Sequence, residues 1–287
     1  MDIVISGLLL GGAYALVAMG LNLQYGVARI MNLANGEVLV LGGLAAFWAF
    51  VSFGLSPLLT LFLIAPLAFA GSWAIYALFL RPLVKRAKSR GQLEVDTILA
   101  TFGMSFFFVG LMVSLQAEYF TYSFLAWPIS LLGSTVAANR LVAALVAAAI
   151  AAALYLWLNR SRSGLAVRAV AVSPGSARLV GIDVGKVSAL AFSLGGMVTA
   201  LGGCLISTFV TLDASAGVLF TMKALIIVIM GGVGDIRGAI IAALILGLVE
   251  TAVATIVDPG LTLVAAYAIF LAVLLFRPQG LFGRRSA

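Results

Sequence analysis

The chain contains eight apolar stretches of sixteen residues or more, and these restrict it to a membrane fold. They cover residues 3–24, 38–53, 57–80, 98–116, 141–158, 187–210, 223–250 and 261–276. A helix needs about 20 residues to cross a hydrocarbon core of about 30 Å. Because 63% of the 287 residues are hydrophobic and only 9% are charged, the chain cannot cover this apolar surface with polar side chains. The sequence therefore predicts an all-α polytopic membrane protein of about eight helical segments, with residues 1–287 forming a single transmembrane domain.

The basic residues are concentrated in three segments outside the apolar stretches. Residues 81–90, 159–186 and 277–287 hold 13 of the 17 lysines and arginines. Since lysine and arginine are enriched in cytoplasmic loops, we expect these segments, and with them the C-terminus, to lie in the cytoplasm. Residues 118–140 and 212–222 then face the opposite side. The net charge of +7 is therefore typical of membrane-protein loops and does not predict a nucleic-acid-binding surface.

The residue types needed for catalysis or for a metal centre are scarce. The sequence has no histidine, and its one cysteine, Cys204, lies inside an apolar stretch. It also lacks the GxxxxGK[ST] loop that holds nucleotide phosphates. We therefore expect no catalytic residue, no metal and no cofactor in this chain, which is not expected to be an enzyme.

The stretch 223–250 is interrupted in its middle. The interruption consists of glycines and two charged residues, namely Gly231, Gly232, Gly234, Asp235, Arg237 and Gly238. As one helix the stretch would measure about 42 Å, which exceeds the hydrocarbon core. If residue 211 is outside and the C-terminus inside, an odd number of crossings must follow residue 211. We therefore expect 223–250 to form a re-entrant or hairpin element with no net crossing, and 261–276 to return to the cytoplasmic side. Glu250 is expected to reach an interface.

A second break follows the first apolar stretch, in the sequence YGVARIMNLANGE at residues 25–37. Irregular backbone at membrane depth is tolerated only where protein or a water-filled cavity surrounds it. Two broken segments, one in each half of a chain, favour a solute site at a repeat interface. The candidate residues for a translocation path are Tyr14, Asn32, Asn35, Glu37, Gly231, Gly232, Gly234 and Asp235.

Structural roles fit several of the same residues. The two asparagines could cap a helix that begins near Val38, with Glu37 favourably placed in its first turn. Asp235 and Arg237 could pair with each other or with the loop backbone. Tyr14 follows a Gly-Gly pair, which favours close helix packing.

The basic segment 159–186 contains two short helical runs, 165–172 and 176–180, separated by a Pro-Gly pair. With Arg168 and Arg178, such a helix could dock in a groove on a soluble partner. The alternative is a basic loop held near anionic lipid headgroups, worth about 1 kcal/mol per basic residue.

Five segments in order carry a resemblance to a known family. They are GLLLGGAYAL (7–16), YGVARIMNLANGE (25–37), RAVA (168–171), ARLVGID (177–183), and KA (223–224) followed by GGVGDIRGA (231–239). Together they resemble the LivH-type permease of bacterial branched-chain amino-acid ABC importers, nearly from end to end.

The resemblance implies a subunit of the bacterial inner membrane that translocates branched-chain or other hydrophobic amino acids by alternating access. The implied partners are a related, non-identical LivM-type permease, two cytoplasmic ATPases that bind ATP and Mg, a periplasmic solute-binding protein and membrane lipid. Residues 159–187 are similar to the ATPase-coupling loop, whose general pattern is Glu-Ala-Ala-x-x-x-Gly. Of that pattern only Ala177 and Gly181 match, with Arg168 and Arg178 nearby. The family often has histidine where this chain has Asn35.

Two other functions remain open from the sequence. The same machinery could carry urea or a short amide. A nucleotide-independent channel or secondary carrier is the alternative from another functional class.

Overall fold

The computed structural model describes residues 2–115, 119–131 and 134–282. Within them the chain forms twelve α-helices: α1 (Asp2–Ala28), α2 (Asn35–Phe53), α3 (Pro57–Ile75), α4 (Arg81–Arg86), α5 (Arg90–Ser114), α6 (Ala138–Arg160), α7 (Arg162–Val172), α8 (Pro174–Leu179), α9 (Val184–Ile206), α10 (Ala216–Gly231), α11 (Ile236–Ile256) and α12 (Thr262–Phe276). A π-helical turn, Tyr76–Leu80, joins α3 to α4, and a 3-10 turn, Pro259–Leu261, precedes α12. Strands β1 (Pro128–Leu131) and β2 (Ser134–Ala137) pair antiparallel.

In the described part of the chain, eight helical segments are long and apolar enough to cross a membrane. They are α1, α2, the continuous run from α3 to α4, α5, α6, α9, α11, and the run Pro259–Phe276 formed by the 3-10 turn and α12. α10 is also apolar but has only 16 residues, or about 24 Å. The predicted all-α polytopic membrane fold is confirmed, with one short β-hairpin that the sequence did not indicate.

The described parts of the three basic segments lie at one end of the helix bundle, as the distribution of lysine and arginine predicted. Arg29, just after α1, donates from Nη2 to the carbonyl oxygen of Ala171 in α7 (3.1 Å). After α12, the amide of Leu281 donates to the carbonyl oxygen of Met230 (2.8 Å). The run from α3 to α4 packs near the start of α9 in a cluster that contains Phe192. We call this the basic end. The opposite end, which carries the β-hairpin and the N-terminus of α1, is the far end.

Helices α1 and α9 form the centre of the bundle and run antiparallel. Small residues allow their backbones to approach neighbouring helices closely. A Cβ atom on Gly7 or Gly11 of α1 would lie 2.8 Å from the Cα of Leu248 or Leu244 of α11. By contrast, Ala266 is the one buried residue of α12. That helix therefore lies on the periphery.

The stretch 223–250 forms a helical hairpin, made of most of α10 and of α11. Gly232 and Gly234 in the turn have φ values of 103° and 87°, which side chains with a Cβ rarely adopt. Oδ1 of Asp235 accepts a hydrogen bond from the amide of Gly238 (3.0 Å) and so caps α11. α12 then returns to the basic end. The expected hairpin is therefore confirmed, whereas its lack of a net membrane crossing stays a prediction.

Candidate functional site

Helix α2 begins inside the bundle rather than at its surface. After α1 ends at the basic end, residues 29–34 turn back into the protein, and α2 starts at Asn35. Oδ1 of Asn35 accepts a hydrogen bond from Oγ1 of Thr199 (3.1 Å), and Thr199 lies against Gly20 of α1. Gly20 precedes the end of α1 by about 12 Å of helix. The first turn of α2 therefore lies within the length spanned by α1.

Helix α10 begins in the same way, but from the far end. After α9 ends, residues 207–215 turn back and α10 starts at Ala216, against the first turn of α2. A Cβ atom on Gly217 would lie 2.8 Å from the amide nitrogen of Glu37. Thr221 of α10 accepts a hydrogen bond from the amide of Gly36 (2.7 Å). The N-termini of two interrupted helices thus meet in the interior of the bundle.

The two returning segments have the same local geometry. Oδ1 of Asn32 accepts from the amide of Ala34 (3.1 Å), and Oδ2 of Asp213 accepts from the amide of Ser215 (3.1 Å). In each segment a glycine at the helix contact follows four residues later: Gly36 follows Asn32, and Gly217 follows Asp213. Helices α1 and α2 are therefore related to α9 and α10 as an inverted pair, the arrangement that many transporters use around a solute site.

This relationship corrects the pairing of breaks made from the sequence. There, the break at 25–37 was matched with the glycines at 231–238, whereas its structural counterpart is 213–217. The signal was present, because Asn32-x-x-x-Gly36 and Asp213-x-x-x-Gly217 both precede apolar runs. Sequence reasoning missed it because α10 is short and was treated as part of a longer stretch.

Glu37 lies at the junction of the two helix N-termini. Its carboxylate is fully buried, and Oε1 accepts a hydrogen bond from Oγ of Ser105 on α5 (2.6 Å). Within the described part of the chain, its Oε2 and the buried Nδ2 of Asn35 have no hydrogen-bond partner. The positive ends of two helix dipoles favour the negative charge there. We call Asn35, Gly36, Glu37, Ser105, Gly217 and Thr221 the helix-end site.

Neither asparagine caps α2. Ala34 occupies the N-cap position and makes no side-chain cap hydrogen bond, and Thr221 of α10 accepts from the first-turn amide of Gly36 instead. Asn32 instead donates from Nδ2 to Oε1 of Gln24 (2.9 Å) in addition to accepting from Ala34, so it shapes the returning segment. The capping interpretation of the two asparagines was therefore wrong, whereas Glu37 does lie in the first turn.

A buried charged triad joins α1, α10 and α11. Nζ of Lys223 donates to Oε2 of Glu250 (2.9 Å) and to the hydroxyl of Tyr14 (2.8 Å). The Tyr14 hydroxyl donates to the same Glu250 oxygen (2.9 Å). The side chains of Lys223 and Glu250 are only 16% and 4% exposed. Glu250 therefore does not reach an interface, contrary to the expectation from the sequence.

The sequence contained a signal for this ion pair. Lys223 and Glu250 are opposite charges at the two ends of one apolar stretch. When such a stretch folds into a hairpin its ends come together, and charges in an apolar environment usually pair.

The glycine turn of the hairpin lies at the basic end, apart from Glu37. Asn22 of α1 holds it, because its Oδ1 accepts from the amide of Gly234 (2.7 Å) and its Nδ2 donates to the carbonyl oxygen of Asp235 (2.9 Å). A Cβ atom on Gly26 would lie 2.6 Å from the Cα of Gly234. The two predicted breaks therefore touch at Gly26 and Gly234, but Asn35 and Glu37 lie elsewhere. Gly231 and Gly232 lie beside the chain segment that follows α12.

Asp235 and Arg237 do not pair with each other. Asp235 caps α11, which matches the alternative of a bond to the loop backbone. Arg237 donates from Nη2 to the hydroxyl of Tyr155 on α6 and lies over its ring, with Cζ 5.2 Å from the centroid.

The basic loop between α6 and α9 folds into α7 and α8. Pro174 is the first residue of α8, so the Pro-Gly pair begins this helix instead of separating two runs. Ala177 is buried, and Gly181 has a positive φ of 80° just after the helix. Arg168 and Arg178 are exposed, and Arg168 donates to Oδ1 of Asn159 (3.0 Å).

Two apolar side chains follow Arg178 at the surface of this loop. Leu179 is 89% exposed and Val180 is 74% exposed. Apolar side chains exposed beside arginines at the basic end are typical of a protein contact surface.

In the described part of the chain, no three histidine, cysteine, aspartate or glutamate side chains come close enough to hold a metal ion.

Comparisons with known proteins point to one permease family, and the match covers the whole bundle. The family model described as "Branched-chain amino acid transport system / permease component" matches residues 3–276. The chain is 29% identical to the high-affinity branched-chain amino acid transport system permease protein BraD of Pseudomonas aeruginosa, covering 98% of this chain and 94% of BraD. It is 28% identical to the permease protein LivH of Escherichia coli K12, covering 97% and 94% of the two chains.

A more distant organism has a similar protein. The probable branched-chain amino acid transport permease protein LivH of Methanocaldococcus jannaschii is 28% identical, covering 93% of this chain and 88% of the relative. No solved structure matches the chain. The family model spans both interrupted helices, the buried triad and the basic loop, and the chain therefore belongs to the family of permease components of branched-chain amino acid transport systems.

Proposed function

We propose that this chain is the membrane-spanning permease subunit of an ABC importer that carries branched-chain or other hydrophobic amino acids across the bacterial inner membrane. The observation that carries the proposal is the meeting of the N-termini of α2 and α10 around the buried carboxylate of Glu37. The family match over residues 3–276 and the names of the relatives support the same function.

The helix-end site offers the two kinds of group that an amino acid needs in a membrane. A carboxylate is favoured by free backbone amides at helix N-termini. An ammonium group is favoured by a carboxylate, and Glu37 has one oxygen without a partner in the described chain. Asn35, with its unpartnered amide nitrogen, lies beside it. Substrate contacts are thus assigned to Asn35 and Glu37.

The other candidate residues act around this site. Asn32 shapes the segment that leads into α2, and Tyr14 holds the charged triad on α1. Gly231, Gly232, Gly234 and Asp235 form the turn that closes the basic end. Because Glu37 is fully buried, substrate must reach it by an opening of the bundle, as alternating access requires.

The loop of α7 and α8 couples this movement to ATP hydrolysis on two cytoplasmic partner ATPases. Exposed Leu179 and Val180 provide the apolar contact, and Arg168 and Arg178 provide charge. Ala177 anchors α8 in the bundle, and Gly181 allows the chain to leave it. The C-terminus and the basic end then face the cytoplasm, and a periplasmic binding protein delivers substrate to the far end beside a related second permease.

Reconstitution tests the proposal. Proteoliposomes holding this chain, a second permease and the ATPases would receive binding protein loaded with tritiated leucine. We expect uptake that requires ATP and stops with a non-hydrolysable analogue. Equal uptake without nucleotide would instead identify a channel or secondary carrier. ATPase stimulation by urea-loaded and not by leucine-loaded binding protein would identify the amide carrier.

A further inference from the structure

A cavity of about 250 Å³ lies at the far end of the bundle, apart from the helix-end site. The beginnings of α1, α6 and α12 and the end of α11 surround it. Apolar side chains, including Leu9, Leu10, Phe209 and Val210, line much of it, and the charged side chains of Arg140 and Glu250 also line it. Pockets with apolar walls and a few polar groups are typical of small-molecule sites.

Glu250, one of the residues that line this cavity, has an unused acceptor. Its Oε2 accepts hydrogen bonds from Tyr14 and Lys223, whereas Oε1 is buried and has no partner in the described chain. A buried carboxylate oxygen without a donor is costly. A ligand with an ammonium group would supply the missing donor and a positive charge.

Arg140 provides the complementary group. Its side chain is exposed at the start of α6, with Cζ 5.9 Å from the centroid of the Phe209 ring. The guanidinium group binds carboxylates through two parallel hydrogen bonds. A cation held over an aromatic ring that also lines the cavity can receive a carboxylate while the rest of the ligand lies on the apolar walls.

The size of the cavity limits the ligand. A protein cavity of about 150 Å³ holds benzene, which has six heavy atoms. By proportion, 250 Å³ suits about ten heavy atoms, and leucine has nine. A single hydrophobic amino acid therefore fits, whereas a peptide does not.

We propose that this cavity is an entry site that binds one α-amino acid with an apolar side chain, its carboxylate on Arg140, its ammonium group on Glu250 and its side chain against Leu9, Leu10 and Phe209. The proposal rests on the proposed function and identifies where substrate first contacts the permease. From here the path is short, because Lys223 of the triad follows Thr221 of the helix-end site by two residues on α10.

Binding can be measured on the full chain in lipid nanodiscs, without binding protein or ATPases, by scintillation proximity with tritiated leucine. We expect displacement by unlabelled leucine. The competitor 4-methyl-2-oxopentanoate lacks the ammonium group and 3-methylbutylamine lacks the carboxylate, so each should compete at least about tenfold more weakly. Undetectable leucine binding by the unmodified chain, or equal competition by all three compounds, would overturn the proposal.

Variants locate the site. Arg140→Ala should weaken leucine binding at least about tenfold and abolish the preference for leucine over the amine. Ala254→Leu fills the cavity and should also weaken binding, whereas Ala252→Leu, on the same helix but not lining the cavity, should not. Because Arg140 is exposed, its replacement should leave thermal unfolding unchanged. Binding unaffected by both Arg140→Ala and Ala254→Leu would contradict the assignment.

Uptake by the reconstituted importer separates this proposal from the proposed function. If both variants bind and import leucine like the unmodified chain, the cavity is not an entry site, although the chain is still an amino-acid permease. If the unmodified importer carries no amino acid, the proposed function fails whatever the nanodisc binding shows.

Discussion

Nζ of Lys223 lies 2.9 Å from Oε2 of Glu250, so the two ends of one apolar stretch are joined by a buried ion pair. The hydroxyl of Tyr14 contacts both groups and extends the connection to α1. Charges at membrane depth are costly unless paired, and this pair therefore links α10, which belongs to the inverted helix pair, to the neighbouring spans. Any rearrangement of α10 must either carry this triad along or break it.

The ion pair predicts how substitutions combine. Lys223→Met leaves the Glu250 carboxylate buried without a cation and should destabilise the protein by about 3–5 kcal/mol. The double variant Lys223→Met with Glu250→Gln removes both charges and should recover most of that loss. Thermal unfolding of the unmodified protein, Lys223→Met, Glu250→Gln and the double variant in one detergent measures the coupling. Additive losses would mean that the two side chains do not interact.

Because the N-termini of α2 and α10 are in close contact, adding one methyl group at Gly217 should affect both stability and uptake. Gly217→Ala places a Cβ atom 2.8 Å from the amide nitrogen of Glu37, so it should destabilise the protein by about 1–3 kcal/mol and impair leucine uptake. Gly71→Ala on α3 is a matched control, because no atom beyond its chain neighbours and the adjacent backbone of its own helix lies within 4 Å of its Cβ position. The control should be neutral or stabilising by up to about 1 kcal/mol. Similar behaviour of the two variants in unfolding and uptake would contradict the close contact.

We expect leucine uptake to require the negative charge of the buried Glu37 carboxylate. Glu37→Gln keeps an oxygen that can accept from Ser105 Oγ, so folding should persist while ATP-driven leucine uptake falls at least about tenfold. Ser105→Ala removes that bond but leaves the charge, and it should affect the unfolding temperature more than the specificity for amino acids. Full uptake by Glu37→Gln would limit Glu37 to a structural role.

The exposed apolar pair on the basic loop should matter only in the assembled complex. Leu179→Asp and Arg178→Glu should reduce the amount of ATPase that copurifies with the permease, because they change the proposed contact surface. Since Leu179 is 89% exposed, the unfolding temperature of the isolated chain should change little. Arg277→Glu changes an exposed charge at the same end but outside α7 and α8, and it serves as the control. If Leu179→Asp and Arg178→Glu copurify with as much ATPase as Arg277→Glu does, the docking assignment is contradicted.

The cap of α9 should depend on pH. The hydrogen bond from the Lys186 amide to Oδ1 of Asp183 (3.1 Å) lowers the pKa of that carboxyl below its ordinary value of 3.8. Because the folded pKa is the lower one, the stabilisation is present above pH 3.8 and is lost as the pH falls through the folded pKa. Asp183→Asn keeps a capping side chain without this titration. Its unfolding temperature should therefore fall less between pH 5 and pH 3, and an equal fall in both proteins would show that Asp183 does not contribute.

Much of the fold follows from the sequence because hydropathy and charge act locally. Each of the apolar stretches forms one or two helices, since a backbone in lipid must satisfy its own hydrogen bonds. The grouping of lysines and arginines predicted which loops share an end, and Arg29 and Leu281 both make their contacts there. The four glycines near residue 234 correctly indicated a turn, because Gly232 and Gly234 require a positive φ.

The candidate site could be predicted only in part. Glu37 and Asn35 were predicted as candidates because polar residues stand out within an apolar run. Their true counterpart, the segment that begins at Asp213, was not recognised, because a short helix does not appear in hydropathy as a separate span. The Lys223–Glu250 pair was missed because Glu250 was assigned to an interface, although a hairpin brings the two ends of its apolar stretch together.

The sequence by itself determined that this chain is a bundle of membrane helices with two interrupted segments, a basic end and a hairpin near its C-terminus. Only the tertiary structure decided which interruptions meet. Gly36 and Thr221 are 185 residues apart and are joined by a hydrogen bond of 2.7 Å. Such a contact depends on the close approach that glycines allow between several helices at once, and no local pattern of hydrophobicity or charge encodes it.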